Sequence, residues 1–359
     1  MSALAQQYNA INLAQGFPNF EIDEALQNAL IEAASSDAHQ YAPMAGNLTL
    51  REEIARLVST YYLRSIATPQ VLITAGATQA IYTAITALIK ADEEVLILDP
   101  SYDCYEAPIL LVGAKAKRIS LAQDFKPDWE LIEESVGPKT KMLIINNPHN
   151  PSGTIWDAKD FRELENLMRA HPELILLSDE VYEFITYEPH QSIHQYPSIR
   201  DRAIIVSSFG KSFHITGWKI GYLVCNETWM KEIHKVHQFL VFSVNSVAQH
   251  ALALYLKETD LNQVKILYKQ KRDLFREGMK KSKFGLLPAQ GSYFQVASIA
   301  EITDISDYDF CIHLTKNYGV AAIPLSVFNA NGQDQGLIRF CYAKTDQTLE
   351  TAIERLCKI

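Results

Sequence analysis

Through its first two-thirds the chain alternates short apolar runs with longer amphipathic stretches, and that alternation leaves few architectures open to it. Residues 71–74 are a short β-rich run, followed by helical spacing over 78–90. Strand-like runs recur at 94–98, 141–146, 174–178, 203–208 and 220–224, with a helical stretch at 158–170. This order predicts an α/β fold: a mostly parallel sheet covered by helices. Ligands of such sheets gather at the carboxyl ends of the strands. Those ends carry Gly76-Ala77-Thr78, Pro100-Ser101-Tyr102, Asn147-Pro148, Asp179-Glu180-Val181-Tyr182 and Ser208-Phe209-Gly210-Lys211. Five ends bearing donors or reactive groups predict one composite site.

From about residue 227 the pattern turns helical, with long periodic stretches at 245–257 and 261–281 and strand candidates at 293–296 and 337–342. The expectation is a large domain over 31–240 and a small α+β domain built from 1–30 plus 241–359. At 359 residues the chain is long enough for both. The formal net charge of −9 argues against a general affinity for nucleic acid. No apolar run is long enough for a membrane span, and residues 1–10 do not read as a signal peptide. Cys104, Cys225, Cys311, Cys341 and Cys357 are odd in number and scattered, which suggests reduced thiols and a cytoplasmic protein.

The sequence lacks G-x-G-x-x-G, G-x-x-x-x-G-K-[ST], G-x-S-x-G and H-E-x-x-H. His190 and His194 have a spacing that suits a metal on a helix, but Pro189 and Pro197 flank them, so no metal site is expected. The strongest signal is the run from Ser207 to Tyr222. A lysine just past a strand end, among small and aromatic residues, is partly desolvated, which lowers its ammonium pKa and frees a nucleophilic amine. Ser208 and Lys219 flank Lys211 and suit one phosphate. Taken alone, Lys211 reads rather as a solvated loop lysine.

The segments INLAQGFPNF, QYAPMAGNLTLREEIA, TAGATQAI, DPSYDCYE, NNPHNPSG, SDEVYE, SSFGKSFHITGWKIGY and AIPLSVF follow one another along the chain. In this order they closely resemble the class I aminotransferases of the pyridoxal-phosphate fold type I, in the branch of methionine and kynurenine/glutamine aminotransferases. The resemblance runs from about Asn12 to Arg355. It implies a seven-stranded, mostly parallel sheet between helices, pyridoxal 5'-phosphate as cofactor, and a homodimer with shared active sites.

The resemblance also implies roles. Lys211 matches the lysine that carries the cofactor as a Schiff base. Asp179 matches the carboxylate that keeps the pyridine nitrogen protonated, so that the ring accepts electrons. Tyr182 and Asn147 match donors to the cofactor's phenolic oxygen, and Tyr102 the aromatic stacked on the ring; Tyr105 reads as a core aromatic. Gly76, Ala77 and Thr78 match the phosphate cup, where free N–H groups meet a helix dipole. Ser208 and Lys219 match the side-chain phosphate ligands. Arg339, alone in an apolar run, matches the arginine that grips the substrate carboxylate. Gly16 matches a backbone position near that carboxylate, and Tyr41 a tyrosine reaching the phosphate of the neighbouring subunit.

Ping-pong transfer of an amino group to a 2-oxo acid is the expected activity, with Lys211 as the general base. Phe17, Tyr41, Tyr102, Phe239 and Phe242 are candidates for an apolar side-chain pocket. No motif supplies a second arginine for a dicarboxylate. Large uncharged L-amino acids are therefore expected, methionine first, then phenylalanine, histidine, glutamine or kynurenine. The enzymatic alternative is a cysteine-conjugate β-lyase on the same cofactor.

Overall fold

The apolar runs pair as their alternation predicts. In the computed structural model, which describes residues 1–359, one sheet contains β1 (Val71–Thr74), β2 (Glu94–Asp99), β3 (Lys115–Ser120), β4 (Thr140–Asn146), β5 (Ile175–Asp179), β6 (Ala203–Ser208) and β7 (Gly221–Val224). Their order is β1-β7-β6-β5-β4-β2-β3, and only β7 runs against its neighbours. The sequence reading found six of these strands and missed β3. That strand closes one edge of the sheet, and it turns Lys115, Lys117 and Ser120 to solvent. Charge on an edge strand blocks stray pairing but erases the apolar signal.

The helices of ten residues or more are α1 (Glu24–Ala34), α2 (Leu48–Tyr62), α3 (Gly76–Leu88), α4 (Ala158–Ala170), α5 (Glu227–Leu240), α6 (Ser246–Tyr255), α7 (Asn262–Met279) and α8 (Asp346–Leu356). Both faces of the seven-stranded sheet are covered. Leu72, Val95, Ile97, Ile144, Leu177 and Val206 pack with Ala80 and Ile81 of α3 and Met230 and Ile233 of α5. Leu96, Leu143, Leu176 and Ile205 pack on the other side with Phe161, Leu164 and Met168 of α4. Burial on two faces explains why these strands read as continuous apolar runs rather than as alternating ones. A capping box starts α4: Asp157 accepts from the Asp160 N–H at 3.2 Å, and Asp160 accepts from the Asp157 N–H at 2.9 Å. Such a cap contributes about 1 kcal/mol.

A second sheet, antiparallel throughout, has the order β10-β11-β9-β8, from β8 (Gly285–Leu286), β9 (Phe294–Ser298), β10 (Ile323–Pro324) and β11 (Leu337–Cys341). The start of the chain joins this half: Ile11–Asn12 pairs in parallel with Val320–Ala321. No helix is long and apolar enough to cross a membrane.

Register places the site. Asn146 lies opposite Asp179, and Asp179 opposite Val206, so β4 and β5 end level while β6 runs two residues further, to Ser208. Gly221 pairs with both Thr74 and Ser208. The turn into α3 therefore stands beside Ser208, with Lys219 two residues before the shared glycine.

Candidate active site

A cavity of about 200 Å³ opens at these strand ends. Its lining brings together Gly76, Ala77, Thr78, Tyr102, Asp179, Tyr182, Ser208, Lys211 and Lys219, nine of the residues singled out from sequence. At one end, α3 begins without a side-chain cap, since Ala75 is its N-cap. Its first N–H groups are left for an acceptor from outside the helix. Gly76 has φ +77°, and a Cβ there would stand 3.4 Å from Lys219 Nζ. Gly221 is as tightly placed: a Cβ on it would lie 2.8 Å from the Ala77 nitrogen. The two glycines let β7 and the start of α3 approach closely while Lys219 faces the helix end.

Lys211 is half-buried in the short helix that follows β6, and its carbonyl accepts from the Tyr268 hydroxyl at 3.1 Å. Its Nζ lies 5.9 Å from the centre of the Tyr293 ring and has no carboxylate partner. Burial lowers the Lys211 ammonium below its ordinary value; Arg339 and Lys219 push the same way, and Cys341 and Asp179 oppose them. Asp179 is buried at the end of β5. Its Oδ2 accepts from the Tyr105 hydroxyl at 2.8 Å and its Oδ1 from the Val181 N–H at 3.2 Å. Burial pushes this carboxyl up to about 6, although those two bonds and Lys211 hold it back. Tyr182 is buried, which raises its hydroxyl above the usual range and keeps it a donor.

Arg339, on β11, is only 5% exposed. Its Nη1 donates to Asn150 Oδ1 at 2.5 Å and its Nη2 to the Ala14 carbonyl at 3.3 Å, while Nε has no partner. The guanidinium stacks 3.8 Å from the Phe294 ring centre and 4.8 Å from that of Phe328. Burial lowers its pKa, and no carboxylate touches it. Residues 13–17 form a strap beside it. The Leu13 carbonyl accepts from the Cys341 N–H, the Gly16 carbonyl from the Tyr293 hydroxyl at 2.8 Å, and the Phe17 carbonyl from Lys344 Nζ at 2.7 Å. A Cβ on Gly16 would meet the Phe294 ring at 2.8 Å, so the strap cannot lie there with a larger residue. Neither Gly16 nor Phe17 lines the cavity itself.

Several residues named from the sequence stand apart from this cavity or make further contacts. Asn147 does not reach the cavity: its Oδ1 accepts from the Trp156 N–H at 3.0 Å and its Nδ2 donates to the Gln191 carbonyl at 3.1 Å. Asn150, three residues on, lines the cavity instead and holds Arg339. Tyr105 is more than core packing, because it binds Asp179; its signal was a hydroxyl on a buried ring, which needs a partner. Tyr41 and Phe239 are 81% and 86% exposed, Phe242 packs edge to face against Tyr41, and none of the three borders this cavity. His194 bonds Arg64 at 3.0 Å, and His190 lies near the Asn147 amide.

The donor set suits a small ring bearing a phosphate at one end and a cationic nitrogen elsewhere. Free N–H groups with Lys219 and Ser208 match the phosphate, and a buried carboxylate touched by no cation matches the nitrogen. Pyridoxal phosphate fits those residues. Comparison with known proteins points the same way. Residues 8–356 match the family described as "Aminotransferase class I and II". Methionine aminotransferase of Escherichia coli is 44% identical, over 99% of this chain and 94% of that protein. A kynurenine–oxoglutarate transaminase of Dictyostelium discoideum is 29% identical, over 100% and 92%. Among solved structures, YbdL from Escherichia coli, described as having a methionine aminotransferase function, superposes with a TM-score of 0.97 at 43% identity, covering 100% of this chain and 95% of that one. Aspartate aminotransferase of Thermus thermophilus, with maleate, gives 0.91 at 25% identity over 99% and 94%.

Proposed function

Since the chain belongs to the class I and II aminotransferases, and is therefore a pyridoxal-phosphate-dependent enzyme of fold type I, we propose that Lys211 is its catalytic base and methionine its best amino donor. The observation that carries the reading is one cavity with a lowered lysine, a lone buried carboxylate and a cation-flanked helix end. Bound there, pyridoxal phosphate supplies an aldehyde that exchanges amines and a pyridinium ring that draws electrons from the substrate Cα.

The chain's own groups then divide the work. The free N–H groups of Gly76, Ala77 and Thr78, with Ser208 and Lys219, hold the phosphate. Asp179 holds a proton on the ring nitrogen, Tyr102 covers the ring, and Tyr182 with Asn150 donates to the phenolic oxygen. Arg339 grips the substrate α-carboxylate, which replaces the partner its buried charge lacks. Gly16 and Phe17 close over that end from the strap. The lowered Lys211 amine takes the Cα proton at Nζ and would return it to the carbon that was the aldehyde of the bound cofactor. In the second half-reaction the same groups work in reverse on a 2-oxo acid, which gives ping-pong kinetics.

A large uncharged side chain is favoured because no arginine lines the cavity to pair with a side-chain carboxylate. Methionine ranks first from the Escherichia coli relative, ahead of phenylalanine, histidine, glutamine and kynurenine. The relatives quoted above are all named for amino-group transfer, and none supports the β-lyase alternative. Exposed Tyr41, with Phe242 against it, supports a homodimer in which this tyrosine serves the neighbouring site. Five free cysteines support a cytoplasmic setting. The seven-stranded sheet within 71–224 and the four-stranded one within 285–341 support the division into a domain of 31–240 and one of 1–30 plus 241–359. The test is an amino-donor panel read through the visible spectrum. Methionine should bleach the parent's imine band, whereas Lys211→Ala, which has no amine to form that band, should lack it and give no turnover; aspartate as much the best donor would defeat the substrate reading.

A further inference from the structure

Tyr102 and Tyr105 leave the same loop and pack edge to face at 5.8 Å. Tyr102 lines the cavity together with Thr78. Tyr105 is 2% exposed, sits in the core between α3 and the sheet, and ends on Asp179 Oδ2 at 2.8 Å. The other oxygen, Oδ1, takes the Val181 N–H. Each carboxylate oxygen therefore has one neutral donor, and no cation touches either.

That choice of partner matters. A buried arginine or lysine in Tyr105's place would neutralise the carboxylate within the protein. A phenol fixes the carboxylate's rotation and leaves its charge unspent. Burial and the nearby Asp179 raise the Tyr105 hydroxyl well above its ordinary value, so it stays a donor across the working pH range. We propose that Tyr105 is a positioning residue for Asp179, whose hydroxyl turns the carboxylate and keeps its negative charge aimed at the ring nitrogen of the bound cofactor. The proposal rests on the reading of Asp179 as the cofactor's partner.

Loss of this hydroxyl removes one of two donors to a carboxyl already near 6, so Asp179 takes up a proton more readily. Lys211, Tyr102, Cys104 and Tyr182 are the other titratable groups that face it. A protonated Asp179 must lose its proton before it can hold a cationic ring. The penalty therefore grows as pH falls.

The experiment titrates apoenzyme with pyridoxal phosphate at pH 6, 7 and 8.5, following absorbance and protein fluorescence. It compares the parent, Tyr105→Phe, Asp179→Asn and the double variant; Phe keeps the ring and its packing. Tyr105→Phe should weaken cofactor binding about tenfold at pH 6 and less at pH 8.5, as loss of one bond to a charged group implies. The double variant should bind no worse than Asp179→Asn alone, because the hydroxyl acts only through that carboxylate. Unchanged affinity in Tyr105→Phe, or losses that multiply in the double variant, would overturn the role of Tyr105 alone. If Asp179→Asn itself binds as the parent does at every pH, the reading of Asp179 fails and the proposal with it.

Discussion

Two arginines set the closed half of this molecule against the open one. Arg118 stands on edge strand β3 and is closed on its own protein: Asp99 lies at 2.6 Å, Glu106 at 2.8 Å and Ser101 Oγ at 3.1 Å. Arg339 stands on β11 and meets only neutral groups, the Asn150 amide and the Ala14 carbonyl. Both leave Nε without a partner, so the difference lies in the carboxylates. Their pKa values move in opposite directions. Burial pulls both down, but bonds to Glu106 and Asp99 outweigh it at Arg118, whereas nothing comparable offsets it at Arg339. A buried charge that the fold leaves uncompensated is costly, and cavities that keep one are candidates for ligand recognition. The cavity that Arg339 adjoins through Asn150 holds two more such charges: Lys211 and Asp179 likewise lack a salt-bridge partner of their own.

The sharpest way to break this comparison is to delete each arginine in turn. Arg339→Met should lower kcat/KM for amino acids by about 10²–10³-fold, the scale expected when a buried charge-to-carboxylate contact is lost. The substrate-free protein should melt within about 2 °C of the parent or above it, because an unpaired buried charge has been replaced by an apolar chain. A large drop in melting temperature with modest kinetic loss would make Arg339 a structural residue.

Arg118→Met should invert that pattern. Asp99 is 6% exposed and would keep only the Ala330 N–H at 3.0 Å on its Oδ2. The cost should be about 1–3 kcal/mol of folding stability, read from denaturant midpoints, as for other buried polar groups that lose a partner. Its kcat/KM should fall far less than that of Arg339→Met. Equal kinetic losses in the two variants would erase the distinction between closed and open charges.

Sequence showed the open half better than the closed one. Lys211, Asp179 and Arg339 each stand where an apolar pattern ends or is interrupted, and a charge there is visible against its background. Arg118 sits in Lys-Ala-Lys-Arg-Ile-Ser, where nothing sets it apart from the exposed lysines beside it, and the whole strand was missed. Asn147 and Asn150 show another limit. Both precede proline, and composition cannot say which amide turns into the cavity; the answer depends on Trp156 and Gln191, distant contacts that hold Asn147 outside it. Tyr41 and Phe239 mark a third, since what covers an exposed aromatic lies beyond a single chain.

The comparison can be sharpened once more in the loop that carries Asp179, where two buried acids differ as the arginines do. Glu183 is closed by hydroxyls from Tyr62, Ser207 and Tyr222. Glu180 has Ser178 and the Ile193 N–H on Oε1, but its Oε2 has no partner. Burial and the neighbouring Glu183 push Glu180 up to about 8. Between its ordinary range near 4.5 and 8, the folded chain therefore holds a proton that the unfolded chain releases. Stability from this group is full at low pH and drains away as pH rises through that window. Gln at 180 has no proton to lose, keeps a carbonyl for Ser178 and Ile193, and puts an amide where Oε2 stands alone. The melting temperature of Glu180→Gln relative to the parent should climb by about 2–5 °C between pH 6 and 9. A difference that stays flat over that range would mean Glu180 is ionised in the fold, and that an open charge can persist here without a ligand to answer it.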